Sequence, residues 1–205
     1  MKKQEIIQEL FRTLSIESNS IEQLKTTLNM DDMSSIVQII GDCTGKIILS
    51  GCGTSAMAAR KIAHSLNCIE RPALFLTPSD AVHGGLGILQ KEDILILISK
   101  GGNTDELLPL VQVCRTKQAA LIGVSENETS LIAKESDCFL KIKVEKEPCP
   151  FNMLATASTL AVISAFDSIC IALMHYTNYT REQFAVIHPG GAVGNRLLGK
   201  VGTTK

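Results

Sequence analysis

The stretch Ile47-Ile-Leu-Ser-Gly-Cys-Gly-Thr-Ser-Ala56 decides the fold, because an apolar run leads through two glycines into residues with helical spacing. A buried strand, a glycine turn and a helix in this order begin a βαβ unit. The glycines, Gly53 among them, let the backbone approach a ligand closely, and the free N–H groups of the following helix favour an anion. Thr54 and Ser55 add hydroxyl donors, so this turn is a candidate phosphate site.

Apolar runs of the same kind recur further along the chain. They are Ala73–Leu76, Ile94–Ile98, Ala119–Val124 and, more weakly, Cys138–Val144. Stretches with helical spacing lie between them, and this alternation predicts parallel strands joined by crossover helices. The runs are continuous rather than alternating, which is typical of a sheet covered on both faces. The sequence therefore predicts a doubly wound α/β fold of three layers.

A second turn of the same type follows the third run, in Ser99-Lys-Gly-Gly-Asn-Thr-Asp-Glu106. Turns at the carboxyl ends of adjacent parallel strands converge on one crevice, which is where open α/β sheets bind ligands. The alternative is that Asn103 and Glu106 form a capping box and that the glycines serve only the turn. Both interpretations stay open for Glu106.

The first turn also fits the loose dinucleotide fingerprint, with Gly51, Gly53 and Ala56 at the required spacing. That fingerprint expects an acid at the end of the second strand to bind the ribose. The second strand ends in Leu-Phe-Leu-Thr77, and Glu70 lies before it, at the wrong end. A simple phosphate is therefore favoured over a nucleotide.

Histidine is scarce, so each position can be weighed separately. His83 and His188 lie in loops rich in glycine or proline, where binding and catalytic residues concentrate. Loop histidines are also ordinary hydrogen-bonding residues, so a site role and a structural role are equally open for both. His64 and His175 lie in helical stretches and are expected to pack or to face solvent.

Two helices carry apolar faces that need cover. Ile7, Leu14, Ile21 and Leu28 recur every seven residues, and Leu10 and Leu24 add to the same side, although Glu17 interrupts the seam. The seam either packs on its own sheet or on another subunit. The segment Leu154–Met174 is long and apolar, which indicates burial on nearly all sides and again suggests an oligomer.

Composition excludes several classes of function. The 205 residues include 20 Lys and Arg against 21 Asp and Glu, so the chain has no excess charge for a nucleic acid or an anionic membrane. The N-terminus has no long apolar run, and the 7 cysteines lack a C-x-x-C pair. We expect a cytoplasmic protein with free thiols, without a metal, and with one domain over residues 1–205. Its parts are a helical segment 1–41 and an α/β core 46–199.

Four motifs together resemble the arabinose-5-phosphate isomerases, a branch of the sugar isomerase (SIS) superfamily. The first turn, the loop Pro78–Gly87 with its H-G-x-L-G pattern and the turn Ser99–Glu106 are similar to the corresponding loops of that family. The segment Phe184–Gly194 resembles its F-x-x-x-H-P-G-G-x-x-G signature, and Lys146-Glu-Pro-Cys-Pro150 and the polar stretch 156–159 precede it. The resemblance covers about residues 46–194.

The resemblance implies a five-stranded parallel sheet between helices, a homotetramer with sites at subunit interfaces, and no cofactor. It implies an aldose–ketose isomerase, an intramolecular oxidoreductase that moves a proton between C1 and C2 of a sugar phosphate through an enediol. His188, Glu106 and His83 would then be catalytic. The residues implied to bind substrate are Gly53, Thr54, Ser55, Asp80, Ser99, Lys100, Gly102, Asn103 and Thr104.

Several positions depart from the family pattern. Thr54 replaces a lysine, Lys100-Gly101 replace Asn-Ser, and Asn103 and Gly85 replace acids. Lys100 offers a cation from the neighbouring turn, although from a different backbone position. The paired C-terminal CBS modules common in the family are not expected. These departures leave two alternatives open, a phosphosugar sensor without catalysis and an isomerase of the phosphohexulose type.

Overall fold

The computed structural model describes residues 2–190, and five parallel strands form its central sheet. The strand order is β2-β1-β3-β4-β5. Every neighbouring pair is parallel, with Ile47 opposite both Ala73 and Ile94 in the register. The strands are β1 Ile47–Gly51, β2 Ala73–Phe75, β3 Ile94–Ile98, β4 Ala120–Ser125 and β5 Cys138–Lys141. The predicted α/β class and all five predicted strands are confirmed.

Helices cover both faces of this sheet. They are α1 Lys3–Thr27, α2 Met30–Gly41, α3 Gly53–Asn67, α4 Pro78–Ala81, α5 Leu108–Lys117, α6 Leu131–Glu135, α7 Ala157–Tyr176 and α8 Arg181–Ile187, with a 3-10 turn at Gly85–Ile88. Alternate strand residues belong to two separate cores, so that Ile96 packs towards α2, α3 and α7 whereas Leu95 and Leu97 pack towards α5. The result is the predicted three-layer sandwich.

The N-terminal segment is two helices rather than one. Asn29 separates them, because its side chain accepts hydrogen bonds from the N–H groups of Asp31 at 2.9 Å and Asp32 at 3.4 Å and so begins α2. The heptad seam divides accordingly. Leu24 is buried near the end of α1, which packs against α7, whereas Leu10 and Leu14 near its beginning are 60% and 61% exposed.

Helix α7 is long and apolar enough to cross a membrane, by length and composition alone. In this fold it packs against α1, α2 and α3. Phe166, Ile169 and Leu173 are almost completely buried in that contact. Its apolar composition therefore has an explanation inside the domain, but the predicted burial on nearly all sides is wrong, because it holds for the face that packs on these helices. Ile171, on another face, is 58% exposed.

Candidate functional site

A cavity of about 60 Å³ lies at the carboxyl ends of β1, β3 and β4. The chain leaves β1 for β2 on one side and returns to β3 on the other, so the strand order reverses between β1 and β3. Such a switch point is the expected ligand position in an open α/β sheet. The residues that line the cavity are Thr54, Ser55, Ala58, Ile98, Ser99, Lys100, Val124, Ser125, Glu126, Ile142, Ala155, Ser158, Thr159 and Val162.

The first predicted turn forms one wall of this cavity. Gly53 has a φ of +55°, which a residue with a side chain rarely adopts, and it begins α3. The residue before it, Cys52, makes no side-chain cap, so the first N–H groups of α3 carry no side-chain partner from that position. Thr54 and Ser55 in the first helical turn line the cavity. An uncapped helix N-terminus with two hydroxyls is suited to an anion.

The second predicted turn is held together by its own hydroxyls. The Ser99 Oγ and Thr104 Oγ1 atoms are 2.7 Å apart, and the Gly102 N–H donates to Ser99 Oγ at 3.0 Å. Asn103 Oδ1 accepts from the Leu131 N–H at 2.8 Å, which fixes the turn to the start of α6. The capping-box alternative is therefore wrong, because α5 begins at Leu108 without a side-chain cap.

Glu147, which the sequence analysis did not select, lies behind the opposite wall, where its partners Lys100 and Ser158 line the cavity. Its carboxylate is completely buried and accepts hydrogen bonds from the Thr156 N–H at 2.9 Å and from the N–H of Ser158 at 3.4 Å and the Ser158 hydroxyl. The Lys100 ammonium donates to it at 3.2 Å. Burial alone would raise the pKa of Glu147, but the bonds from Ser158, Thr156 and Lys100 hold that pKa below its ordinary value.

The structure brings together only part of the predicted site. Thr54, Ser55, Ser99 and Lys100 line the cavity, whereas Gly53, Gly102, Asn103 and Thr104 shape the two turns around it. Glu106 is exposed, and it lies close enough to Cys52 for its charge to affect the pKa of the Cys52 thiol. Burial raises the pKa of the Cys52 thiol, and the charge of Glu106 raises it further. The roles of these predicted site residues in binding or catalysis stay predictions.

The predicted histidines are not among the residues that line the cavity of the same chain. His83 and Asp80 are exposed in the segment after β2. His188 follows α8, where its Nδ1 atom lies 2.9 Å from the Phe184 carbonyl oxygen and its ring stacks on Phe184 with centroids 3.9 Å apart. The signature residues 191–194, like residues 195–199 of the predicted core, lie outside the described residues.

Sequence signals for Glu147 and Ser158 were present but indirect. Lys146-Glu-Pro-Cys-Pro150 and the polar stretch 156–159 stand out between an apolar strand and an apolar helix. Nothing in their spacing shows that the two segments meet, because Glu147 and Ser158 are 11 positions apart in the sequence. The contact depends on how the chain between β5 and α7 turns back to the sheet. Such a long-range contact cannot be inferred from local pattern.

The chain is similar to known proteins over most of its length. The profile of the SIS domain matches residues 41–172. The arabinose 5-phosphate isomerase KpsF of Escherichia coli O6:H1 is 35% identical over 196 residues. The aligned region is 96% of this chain but 60% of the relative, so the chain spans less than two thirds of that protein's length.

Two solved structures share the fold closely. A proposed sugar-phosphate isomerase from Listeria monocytogenes is 60% identical with a TM-score of 0.92, covering 93% of this chain and 100% of its own. A structure from E. coli CFT073 in complex with arabinose 5-phosphate is 26% identical with a TM-score of 0.88, covering 92% of this chain and 100% of its own.

The fold and the switch-point cavity define a doubly wound α/β protein with a candidate ligand site at the carboxyl ends of its central strands. This chain belongs to the SIS domain family, and the predicted resemblance to its arabinose 5-phosphate isomerase branch is confirmed.

Proposed function

We propose that this chain is a sugar-phosphate aldose–ketose isomerase that moves a proton between C1 and C2 of its substrate through an enediol. The observation that carries the proposal is the cavity at the switch point, lined by Ser55, Ser99 and Lys100 beside the uncapped start of α3. Hydroxyls, free backbone N–H groups and an ammonium are the donors that bind a phosphate ester and the oxygens of a sugar. The relative KpsF and the E. coli CFT073 complex with arabinose 5-phosphate support the same substrate class.

Proton transfer requires a base within hydrogen-bond reach of the C–H bond next to the carbonyl. Glu106 is a candidate because it lies near Cys52, at the first turn. His188 and His83 are the other candidates, from the family signature and the loop after β2. No metal or organic cofactor is part of this proposal, because moving one proton within a sugar phosphate needs only acid–base groups and a donor for the oxygens.

We further propose a homotetramer with sites at subunit interfaces. Helix α8 lies beside the end of α3, where Gln183 Nε2 donates to Glu70 at 3.3 Å and the Tyr179 hydroxyl to the Cys68 carbonyl at 3.5 Å. The cavity lies at the beginning of α3, roughly 20 Å away along a helix of this length. His188 would therefore serve the cavity of a second copy rather than its own. A cytoplasmic location is proposed from the seven free cysteines.

The experiment that tests substrate class is a thermal-shift comparison of sugars with their phosphates. Arabinose 5-phosphate and other pentose, hexose and heptose phosphates should raise the unfolding temperature, because a ligand that binds the native state stabilises it. Unphosphorylated sugars should leave the temperature unchanged. Ser55→Ala should weaken phosphate binding by about 1 to 2 kcal/mol, whereas Ser35→Ala, an exposed hydroxyl on α2, should not. Equal shifts by a sugar and its phosphate would refute the proposal.

A phosphosugar sensor without catalysis is the second candidate. The observation that favours it is the pairing of Lys100 with Glu147. Within residues 2–190, Lys100 is the one Lys, Arg or His side chain that lines the cavity, and its charge is already matched by this carboxylate. A sensor would bind sugar phosphates but would not exchange their C1 or C2 protons with solvent.

An isomerase of the phosphohexulose type would instead exchange the protons of a hexose phosphate in preference to those of a pentose phosphate.

A further inference from the structure

The imidazole ring of His188 makes two contacts with a single residue of helix α8. Its Nδ1 atom lies 2.9 Å from the main-chain carbonyl oxygen of Phe184, four positions earlier in the chain. Its plane also stacks on the phenyl ring of Phe184, with the ring centroids 3.9 Å apart and an angle of 17° between the two planes. Both side chains are half-buried. One contact fixes the direction of the imidazole ring, and the other fixes its plane.

The contact with the carbonyl decides which nitrogen of a neutral His188 carries the proton. A carbonyl oxygen can only accept a hydrogen bond, so at this distance Nδ1 is the N–H donor. A neutral imidazole has one N–H group, and its other nitrogen then has a free lone pair. The basic atom of the ring is therefore Nε2. It lies on the side of the ring away from Nδ1, and so away from the Phe184 carbonyl.

Phe184 is itself held in place by the beginning of α8. Its ring meets the Tyr179 ring edge to face, with centroids 6.4 Å apart and an angle of 78°, an arrangement that aromatic pairs favour. Its N–H donates to the Thr180 carbonyl oxygen at 3.1 Å. Thr180 and Gln183 form a capping box that fixes this first helical turn. The phenyl ring therefore offers His188 a surface of fixed orientation.

From these contacts we infer that Phe184 is the positioning residue of His188, and that Nε2 is the atom at which His188 takes up and returns a substrate proton. The inference rests on the proposed function for the reaction. The substrate proton forms a bond to the Nε2 lone pair, the electron pair of the broken bond stays on the substrate, and the imidazolium then returns a proton from the same nitrogen. Nδ1 keeps its proton and its bond to the carbonyl throughout, so the ring need not turn between the two transfers.

Nuclear magnetic resonance of protein with nitrogen-labelled histidine measures the tautomer directly. Long-range proton–nitrogen correlation is recorded at about pH 9, well above the ordinary histidine pKa of about 6.5, where histidine rings are neutral. The signals of His188 are identified by their loss in His188→Ala. We expect the proton on Nδ1, whereas a histidine without a partner favours the form with the proton on Nε2. A proton on Nε2 in the wild-type protein would overturn the inference.

Variants of Phe184 test the positioning role. Phe184→Leu keeps the main-chain carbonyl and removes the aromatic ring, so it should shift the tautomer of His188 towards the Nε2–H form. It should also lower kcat for deuterium exchange by about tenfold or more and leave KM within about twofold, because a misplaced proton-transfer group costs rate rather than affinity. Phe184→Tyr, which keeps a stacking ring, should match the wild type. Val186→Ala, at an exposed position of the same helix, is the control.

The exchange probe is the pentose, hexose or heptose phosphate that the wild-type protein exchanges. An unchanged tautomer or an unchanged kcat in Phe184→Leu would contradict the positioning role of the phenyl ring. If Phe184→Leu fails to fold, Phe184→Met takes its place, and the wild-type tautomer still decides which nitrogen carries the proton. Absence of exchange by the wild-type protein would refute the isomerase proposal, and the tautomer measurement would still decide how Phe184 holds His188.

Discussion

Gly102 shows how a single residue combines an unusual backbone conformation with close packing in the second turn. Its φ is +70°, and a Cβ at this position would lie 2.8 Å from Ser125 Oγ and closer still to Ser130. We expect Gly102→Ala to lower the free energy of unfolding by about 2 kcal/mol or more, from backbone strain and overpacking together. The neighbouring Gly101→Ala is the matched control, since a Cβ there meets nothing within 4 Å. Equal effects in chemical denaturation would contradict this account of the turn.

Asp93 links stability to pH at the opposite end of the sheet. Burial alone would raise the pKa of its carboxyl, but hydrogen bonds from the Lys46 ammonium at 2.6 Å, the Lys46 N–H at 2.8 Å and the Gln90 N–H at 2.7 Å hold that pKa below its ordinary value. A depressed pKa contributes stability above the unfolded pKa of about 4, and that stability is lost as the pH falls towards the folded pKa.

The Asp93→Asn variant tests this linkage. It should lower the free energy of unfolding by about 1 to 3 kcal/mol at pH 7, and this difference should shrink as the pH falls below the unfolded pKa of about 4, because the stability that the depressed pKa contributes is lost there. Urea titrations at several pH values would therefore give a flatter pH dependence for the variant. Asp105→Asn, at an exposed position in the second turn, is the control. A constant difference between Asp93→Asn and wild type from pH 7 to pH 3 would be incompatible with the linkage.

Residues whose role is local were predictable from the sequence, and residues that act across the chain were not. Ser55 and Ser99 could be selected because each directly follows a glycine turn or a strand. Glu147 could not, because its partners Lys100 and Ser158 come from distant segments. The capping box of Asn103 and Glu106 was one of two open interpretations, and it is wrong, since the Asn103 amide oxygen accepts from the N–H at the start of α6 and does not cap α5.

At the level of elements, α7 shows why an apolar helix needs a structure to be interpreted. Ile169 is buried and Ile171, two positions later, is 58% exposed. We predict that Ile169→Ala lowers the free energy of unfolding by about 2 to 5 kcal/mol, because it leaves a cavity in the core. The same substitution at Ile171 should cost about 1 kcal/mol or less. Similar losses in thermal or chemical unfolding would mean that α7 does not pack against α1, α2 and α3 as described.

The beginning of α1 presents an apolar surface that the single chain leaves open. Its members share one side of the helix and are 41 to 68% exposed: Ile6, Ile7, Leu10, Phe11 and Leu14. The proposed tetramer would cover this surface. Leu10→Asp should therefore shift the mass measured by light scattering towards smaller species, because it places a charge in the contact. Gln8→Asp, on the opposite side of the same helix, should not. A monomeric wild-type protein at micromolar concentration would contradict the proposed assembly.

The strands were predictable because each is a short, continuous apolar run between turn residues, a signal that needs no distant contact. The division of the N-terminal segment into α1 and α2 was missed, although Asn29 followed by two acids is a recognisable helix start. The heptad pattern continued through Leu28 and masked that break. The two halves of the seam have the same apolar pattern, although Leu24 is buried and Leu10 and Leu14 are exposed. The pattern alone therefore could not show which half packs inside the domain.

For the whole molecule, the central claim is that this member of the SIS family isomerises a sugar phosphate. Incubation in deuterated water with arabinose 5-phosphate and the other sugar phosphates that bind should introduce deuterium at C1 or C2, because enediol formation exchanges that proton even when net conversion is small. His188→Ala should slow the exchange by about a hundredfold or more while binding is kept, and His175→Ala on α7 should have no effect. Nuclear magnetic resonance that shows deuterium at C1 or C2 of at least one ligand is the result we predict. No exchange in any ligand that binds would contradict the claim and leave a phosphosugar-binding protein without catalysis.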